Sequence, residues 1–337
     1  MNLMIVCYHR SSSLGTLDFC EQKYFLQYNL AFKDKTNKKA LMGTIVHKAL
    51  QVLADKKLCM QRGNKSFGDG ELGRFSLKEC DNIPKVTEKA FDYYTDLEPD
   101  VDLSKAELKK CTGWVEKAIS YNNGLLDPRN QNVFATEKFF DIEIDKPWAK
   151  FSYNIGGKII KGNLAIKGTV DLIVKHEENY YELIDYKTGR RLNWATGEEK
   201  TLESLQKDTQ LLLYYYALKN LYPDYDFSVS IFYINDGGLF SMCFDDTDYK
   251  KAENILKRKF KYIRDVSHPK LLSNENTHWK CQKLCKFSAP YKSGAKKSMC
   301  QHIRDEVRKK GVNKVVLEYG NVDKIGSYGA GGGRAAQ

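Results

Sequence analysis

No stretch of this sequence approaches the roughly 18 consecutive apolar residues that a membrane-spanning helix needs. The opening segment, Met1 to Cys7, is apolar, but it is shorter than a signal peptide and lacks the basic start of one. Internal repeats are also absent. These absences exclude the membrane-spanning class and predict a protein that is not exported.

The chain has nine cysteines, which is an odd number. An odd number does not suit a complete set of disulfides, and without an export signal it predicts a reducing compartment. We therefore expect a cytoplasmic protein, in the host cell if the source is a virus. Five of the cysteines lack the spacing of metal ligands and are expected to be ordinary thiols: Cys7, Cys59, Cys80, Cys111 and Cys243.

Acidic residues are fewer than basic ones, which leaves a net charge of +11 and a pI of about 9.0. Such an excess favours a polyanion as partner. Several aromatic residues stand beside lysines, as in Lys23-Tyr24-Phe25, and bases can stack on such rings while cations contact phosphates. The composition therefore points to a nucleic acid, although most of the tyrosines are expected in the core.

The most informative segment contains two apolar runs joined by a polar stretch. Residues 164–175 and 180–187 have strand composition, while residues 176–179 read His-Glu-Glu-Asn. This arrangement is typical of two antiparallel strands joined by a hairpin turn.

The hairpin brings three charged residues together. A turn at its centre places Asp171 directly opposite Asp185, and Cβ atoms in such pairs are about 5 Å apart. Lys187, two residues beyond Asp185, points to the same face. Two carboxylates at this distance repel each other, so a divalent cation is a natural way to hold them together.

Magnesium or manganese is the expected ion, because carboxylate oxygens favour hard cations. Such an ion can activate a water and stabilise charge on a phosphoryl oxygen, while the lysine orients or deprotonates that water. The alternative is a surface patch in which Lys187 merely neutralises two aspartates. Taken alone, the spacing does not separate these two interpretations.

Two further motifs flank the hairpin, one upstream and one downstream. Together with the two motifs of the hairpin, the sequence thus has four motifs in this order: Gly43-Thr44-Ile45-Val46-His47, Gly168-Thr169-Val170-Asp171, Asp185-Tyr186-Lys187-Thr188-Gly189 and Gln210-Leu211-Leu212-Leu213-Tyr214. This set resembles the PD-(D/E)XK nuclease superfamily, specifically its RecB-like branch with the AddB nuclease domain and CRISPR-associated iron–sulfur exonucleases. The resemblance implies an α/β fold of the restriction-endonuclease type, with a mixed central sheet flanked by helices.

The resemblance also implies a role for each motif. The implied metal ligands are His47, Asp171, Asp185 and the main-chain carbonyl of Tyr186. Lys187 would position or activate the attacking water. Gln210 and Tyr214 would support the site or hold the scissile phosphate.

Three of these residues also have simpler interpretations. A lone histidine in an amphipathic helix, such as His47, is more often a core or surface residue than a ligand. Gln210 and Tyr214 are four residues apart and share a helix face, but the first could be solvated and the second packed in the core. The order of the motifs favours the site role for all three.

The other four cysteines form a second group. Cys281, Cys285 and Cys300 lie in a basic, turn-rich stretch, and Cys20 stands near the N-terminus. In the iron–sulfur members of the resembled family, one N-terminal and three C-terminal cysteines bind a 4Fe–4S cluster. The resemblance therefore implies a structural 4Fe–4S cluster bound by these four residues.

A structural Zn²⁺ site is an alternative, because cysteine and histidine suit tetrahedral zinc. Its ligands would be Cys281, Cys285, Cys300 and His302, which need no distant partner. A third alternative is that no metal binds. Trp279 and Phe287 flank the cysteines and would suit the apolar wall of a cluster.

The hydrophobic pattern predicts the order of elements. Helices are expected over 14–30, 41–57, 106–121, 205–221 and 247–265, with a flexible loop over 62–74. Strands are expected over 133–144, 148–155, 164–175, 180–187, 227–235 and 239–244. The predicted organisation is one nuclease domain over 1–325, with a helical insertion (59–130), a cysteine-rich region (276–305) closing onto Cys20, and a disordered glycine-rich tail (326–337).

The sequence thus predicts a metal-dependent deoxyribonuclease, an exonuclease on single-stranded DNA ends in recombination, repair or replication. The exonuclease preference rests on the resemblance alone. A catalytically silent nucleic-acid-binding module would keep the fold, although it has no chemical need for the Asp, Asp and Lys set. An RNA-binding factor with a structural zinc or iron–sulfur site is the other alternative.

Overall fold

The computed structural model describes residues 4–34, 36–192, 197–272 and 278–320, with the side chain of residue 278 left aside. The helices are α1 (Ser11–Phe19), α2 (Glu21–Tyr24), α3 (Lys38–Gln61), α4 (Ile83–Leu97), α5 (Lys105–Ser120), α6 (Leu202–Leu205), α7 (Thr209–Leu221), α8 (Asp246–Asp265), α9 (His278–Leu284), α10 (Met299–Lys310) and α11 (Val312–Tyr319). A short π-helix covers Phe25–Asn29, and a 3-10 turn covers Lys286–Ser288.

The strands form one larger sheet and two hairpins. They are β1 (Tyr8–His9), β2 (Ser66–Asp69), β3 (Gly73–Ser76), β4 (Val133–Glu143), β5 (Lys150–Ile155), β6 (Lys158–Asn163), β7 (Ala165–Lys175), β8 (Tyr180–Lys187), β9 (Asp226–Tyr233) and β10 (Gly238–Cys243). In the larger sheet β8 is antiparallel to β7 and parallel to β9, while β10 is antiparallel to β9. β4 and β1 also pair with β7. This mixed sheet with its helices confirms the predicted fold class.

The chain divides into two compact units. The first, called the α3 unit, contains residues 36–139 and 169–249. The second, called the α10 unit, contains residues 1–35, 140–168 and 250–337. Each unit has buried apolar side chains of its own.

Helix α3 is the central helix of the α3 unit. Asn37 begins it, because the Asn37 side chain accepts a 3.0 Å hydrogen bond from the amide of Ala40 and so satisfies a free donor of the first turn. Buried side chains follow along most of its length: Leu41, Met42, Ile45, Val46, Ala49, Leu50, Val52, Leu53 and Ala54. They share one core with residues of α4, α5, β7 and β8. Packing on several sides therefore fixes the position of α3.

The β7–β8 hairpin has the register that the sequence predicts. Leu172 pairs with Ile184, and Val174 pairs with Glu182. One step further the same register sets Asp171 opposite Asp185. β8 lies between two strands, and this central position explains why five of its eight residues are buried.

The α10 unit combines the β5–β6 hairpin with the amphipathic helix α8 and the C-terminal helices. Helix α8 buries Ala252, Leu256, Phe260 and Ile263, which recur at helical spacing. Gly168 sits in β7 where a Cβ atom would come within 2.4 Å of the ring of Phe140. A glycine there lets the ring lie directly on the strand, which gives the first residue of the Gly-x-x-Asp motif a packing role.

The prediction of a flexible loop over residues 62–74 is wrong. β2 and β3 form an antiparallel hairpin there, with the rings of Phe67 and Phe75 5.7 Å apart. Lys48 of α3 forms a 2.7 Å ion pair with Asp69 in the same hairpin. These partners are distant in sequence, so a local glycine-rich pattern does not reveal them.

Several short elements were not predicted, namely β1, β6 and the helices α9 to α11. The predicted tail at 326–337 lies outside the described residues. The domain boundaries stay predictions. Within the described part of the chain, no helix combines the length and the hydropathy that crossing a membrane requires.

Candidate metal centre

Three side chains from separate elements converge in the α3 unit. His47 belongs to α3, Glu137 to β4 and Asp171 to β7. One potential ligand atom from each lies within 4.8 Å of those of the other two, and Nδ1 of His47 is 3.3 Å from Oδ2 of Asp171. An imidazole and two carboxylates form a donor set that suits a divalent cation such as manganese or magnesium.

Asp171 is oriented by the neighbouring strand. The main-chain amide of Tyr186 donates a 2.8 Å hydrogen bond to Oδ2 of Asp171. Burial pushes the pKa of Asp171 up, but the charges of His47 and Lys187 and this hydrogen bond outweigh it, so the net shift is downward. The carboxylate is therefore fixed in its charged, ligand-competent form.

Asp185 has a different environment from Asp171. It is almost fully buried, and Nζ of Lys187 lies 2.6 Å from its Oδ2 atom. Burial raises the pKa of Asp185, and the charge of Asp171 adds to this, although Lys187 opposes it. Burial lowers the pKa of Lys187, but Asp185 and Asp171 outweigh that effect and raise it. The two residues thus form a tightly paired carboxylate and ammonium.

Helix α7 supplies hydrogen bonds to the other oxygen of Asp185. Nε2 of Gln210 donates to Oδ1 of Asp185 at 3.0 Å and to the hydroxyl of Tyr214 at 2.7 Å. The Tyr214 hydroxyl also lies 3.4 Å from Oδ1. Asp208 begins α7 by accepting a 2.9 Å bond from the amide of Gln210, which aims this face of the helix at Asp185.

The triad of His47, Glu137 and Asp171 has strongly shifted acid–base properties. Burial alone would lower the pKa of His47, but the adjacent Asp171 carboxylate outweighs it and raises the pKa to about 9. Burial raises the pKa of Glu137 to about 8, and the Asp171 charge adds to the shift. Clusters of carboxylates that raise one another's pKa by charge repulsion are typical of functional sites.

Glu137 was missed by the sequence analysis. It has a φ angle of 44° inside β4, a left-handed conformation that a non-glycine residue in a strand rarely adopts. Such backbone strain concentrates at functional sites. An acidic residue in the middle of the predicted strand 133–144 could have drawn attention to Glu137. The strand with which 133–144 pairs could not be inferred from its own residue pattern.

Gly43 explains how the loop after β8 approaches α3. A Cβ atom at this position would lie 3.1 Å from the hydroxyl of Thr188, closer than an ordinary contact. The first and third sequence motifs therefore touch at Gly43 and Thr188, which draws together the elements that carry His47 and Lys187.

The structure brings most of the predicted site residues into one place. His47 contacts Asp171, while Lys187, Gln210 and Tyr214 surround Asp185. The Tyr186 backbone faces Asp171 through its amide. The roles of these residues, including ligation by Asp185 and by the Tyr186 carbonyl, stay predictions.

The four cysteines of the second group lie near one another in the α10 unit. Burial raises the pKa of Cys300 to about 12, and the charges of Cys20, Cys285 and Cys281 add to the shift. Cys20 likewise contributes to the raised pKa of Cys281 and of Cys285. The fold therefore gathers one N-terminal and three C-terminal thiols, as a four-cysteine cofactor would need.

Among the described residues, three or more cysteine or histidine ligand atoms do not meet within 4.8 Å of one another in this region. His302 instead stacks on Tyr291, with ring centres 4.1 Å apart. Binding of a 4Fe–4S cluster by Cys20, Cys281, Cys285 and Cys300 and binding of zinc by Cys281, Cys285, Cys300 and His302 both stay predictions.

The two aromatic residues that flank the cysteines differ in exposure. Phe287 is 6% exposed, as an apolar wall requires. Trp279 is 48% exposed, so its ring is open to solvent and does not form a closed wall.

Comparison with known families identifies the chain. A model described as the PD-(D/E)XK nuclease superfamily matches residues 11–289. The chain belongs to the PD-(D/E)XK nuclease superfamily. The match includes all four sequence motifs, Glu137 and the cysteines from Cys20 to Cys285. Nucleases of this superfamily hydrolyse phosphodiester bonds and generally use Mg²⁺ or Mn²⁺, which agrees with the acidic site.

Solved structures provide weaker comparisons for this PD-(D/E)XK nuclease. A crystal structure of a presumed exonuclease from Eubacterium rectale is 11% identical, with a TM-score of 0.48, and the match covers 85% of this chain and 90% of that one. The crystal structure of the protein SSO0001 is 18% identical, with a TM-score of 0.25, and the match covers 71% and 93%. Neither comparison carries an argument about function. A search of curated proteins found no match.

Proposed function

We propose that this nuclease is a metal-dependent exonuclease that hydrolyses single-stranded DNA from its ends. The observation that carries the nuclease assignment is the meeting of His47, Glu137 and Asp171 beside the Asp185–Lys187 pair. The preference for single-stranded ends rests on the resemblance of the sequence motifs to RecB-like exonucleases. Its place would be in recombination, repair or replication.

The donor set fits a hard divalent cation. His47, Glu137 and Asp171 would bind Mg²⁺ or Mn²⁺, with Asp185 and the Tyr186 carbonyl as further ligands. The bound ion would lower the pKa of a water molecule and offset charge on the scissile phosphate.

The residues around the ion act by position. Lys187 carries an ammonium at the site, where it orients the attacking water and offsets the charge that develops on the phosphate. Gln210 and Tyr214 hold Asp185 through its Oδ1 atom, which keeps Oδ2 directed at Lys187. This arrangement positions the nucleophile before the reaction begins.

We propose in addition that Cys20, Cys281, Cys285 and Cys300 bind a 4Fe–4S cluster. The electrostatic influence of Cys20, Cys281 and Cys285 on the Cys300 thiol supports a site shared by all four. The cluster would join Cys20 to Cys281 and close most of the chain into one loop. By analogy with a disulfide, closure of so long a loop stabilises the fold by about 4–5 kcal/mol, so its role is structural.

Cleavage of end-labelled DNA tests the catalytic proposal. The protein is purified without oxygen and incubated with linear single strands, linear duplexes and circular single strands, with and without Mn²⁺ or Mg²⁺. We expect the metal to be required, the linear single strand to be shortened and the circle to survive, because it has no end. Labels at either end give the polarity.

Matched variants connect the activity to the site. Asp185→Ala and Lys187→Ala should abolish cleavage while DNA binding persists. Asp96→Ala, which removes an exposed carboxylate in α4, should cleave normally. Cleavage of the circle would overturn the exonuclease assignment. Absence of cleavage by well-folded protein would favour a silent binding module or an RNA substrate.

A further inference from the structure

Trp279 is an exposed tryptophan on α9. The residue keeps 48% of its surface open, although tryptophan side chains are usually largely buried. Nζ of Lys280 lies 5.7 Å from the centre of the Trp279 ring, within the range of a cation–π contact. An open ring beside a cation is the kind of surface on which an unpaired base stacks.

Two exposed lysines follow Trp279 closely in the sequence. Lys283 follows Trp279 by four residues and lies on the same side of α9. Lys286 follows Lys283 by three residues, just beyond the end of that helix. Both lysines are exposed, the first on α9 and the second at the start of the adjacent 3-10 turn. Neither forms an ion pair with another residue that the structure describes.

The surrounding segment carries charge of one sign. Residues 278–298 contain six lysines and no aspartate or glutamate. The next acidic residue, Asp305, pairs with Lys297 at 2.7 Å and so neutralises a lysine other than Lys283 and Lys286. The positive charge of Lys283 and Lys286 therefore stays available to a polyanion.

We propose that Trp279, Lys283 and Lys286 form a binding site for single-stranded nucleic acid, here called the Trp279 site. An unpaired base stacks on the Trp279 ring, and the two lysines contact the neighbouring phosphates. Charge selects a polyanion, and the open ring selects one whose bases are not already stacked in a duplex. The Trp279 site belongs to the α10 unit, and its natural ligand, the DNA strand, rests on the proposed function.

Binding measurements on full-length protein test the Trp279 site. All variants carry Asp185→Ala so that the probe survives, and the probes are a labelled oligothymidylate and a labelled duplex. Trp279→Ala should weaken single-strand binding about tenfold or more, Trp279→Phe should restore most of it, and duplex binding should change less than about twofold. Equal losses with oligothymidylate and oligouridylate would extend the site to RNA.

The lysines have their own readout, the dependence of affinity on salt. Lys283→Ala with Lys286→Ala should reduce the slope of log affinity against log salt by about 1.4, the value for two contacts to a single strand. Lys109→Ala with Lys110→Ala removes two exposed lysines of α5 and should leave the slope unchanged.

Several outcomes would overturn the Trp279 site. One is an affinity of Trp279→Ala for the single strand equal to that of the wild type. Another is an equal loss of affinity for the single strand and the duplex. A third is loss of iron and of thermal stability in Trp279→Ala. Hydrolysis of bis(p-nitrophenyl) phosphate by the wild type tests the metal centre separately, since this ester has no strand. A protein that lacks hydrolysis yet binds single strands through Trp279 would refute the proposed function and leave the site standing.

Discussion

Nδ1 of His47 and Oδ2 of Asp171 lie 3.3 Å apart, although one residue belongs to a helix and the other to a strand distant in the chain. The Tyr186 amide holds the same Asp171 oxygen from β8. Residues of α3, β7 and β8 therefore meet at one carboxylate. A shift of any of them would change the position of the proposed cation ligands.

Glu137→Gln should impair the proposed metal site. The change keeps the side-chain size but removes a charged ligand, so we expect Mn²⁺ affinity to fall at least about tenfold and DNA cleavage to fall with it. Titration calorimetry with Mn²⁺ measures the affinity, and a cleavage assay measures the rate. Glu116→Gln, at an exposed position on α5, is the control. Unchanged Mn²⁺ affinity in Glu137→Gln would remove Glu137 from the ligand set.

The central part of the fold could be predicted from local pattern. Both strands of the β7–β8 hairpin are strongly apolar and the turn between them is polar, so even the Asp171–Asp185 pairing follows from the position of the turn. The order of the motifs also predicted that α3 and α7 contribute to the site. All of these elements can be recognised from the pattern of their own residues.

Glu137 and the β2–β3 hairpin carry no such local signal. Glu137 joins the site because β4 pairs with β7, a pairing between strands separated by the β5–β6 hairpin. The β2–β3 hairpin is fixed by Lys48, whose Nζ atom lies 2.7 Å from Asp69 and 3.0 Å from Glu71. Long-range ion pairs and strand neighbours depend on the complete fold, so single-sequence patterns do not contain them.

Gln210→Ala should lower the rate of cleavage more than it changes substrate affinity. The variant removes the 3.0 Å donor to Oδ1 of Asp185 and the 2.7 Å bond to the Tyr214 hydroxyl. Loss of a hydrogen bond to a charged group costs about 1.5–3 kcal/mol, which corresponds to a rate reduction of about 10- to 150-fold. Steady-state kinetics separates kcat from KM. A rise in KM alone would instead indicate that Gln210 holds the substrate. Gln282→Ala, at an exposed position on α9, is the control.

Gly168→Ala should destabilise the fold by about 1–3 kcal/mol, because the new Cβ atom would lie 2.4 Å from the Phe140 ring. Urea unfolding measures the effect. The second change Phe140→Leu in the same protein should recover part of the loss by removing the clash. Gly113→Ala, in α5 with open space around it, should be neutral or stabilising by up to about 1 kcal/mol. Equal effects at Gly168 and Gly113 would contradict the packing explanation.

Cys285→Ser should remove iron and sulfide from protein purified without oxygen and should lower its thermal midpoint. The expected cause is loss of the cluster that closes the chain onto Cys20. Cys243→Ser, which changes an exposed thiol at the end of β10, should alter neither quantity. His302→Ala separates the zinc alternative, since it should leave the metal content unchanged. Zinc in the wild type that is lost in His302→Ala would refute the cluster.

His9 should make the stability of the protein depend on pH below neutrality. Burial lowers the pKa of His9 from 6.5 to about 3, and the charge of Lys259 acts in the same direction. Between these two values the unfolded chain binds a proton that the folded chain does not, so the free energy of unfolding falls as the pH falls. The part of this effect that develops between pH 7 and pH 4 is a loss of about 3 kcal/mol.

The comparison with His9→Gln isolates this contribution from other titrating groups. Urea unfolding of both proteins at pH 7 and pH 4 gives the difference in unfolding free energy at each pH. Glutamine carries no charge at either pH, so the stability of the wild type relative to His9→Gln should decrease by about 3 kcal/mol on acidification. A relative stability that stays constant would mean that His9 takes up its proton in the folded protein, and that the buried site tolerates the charge.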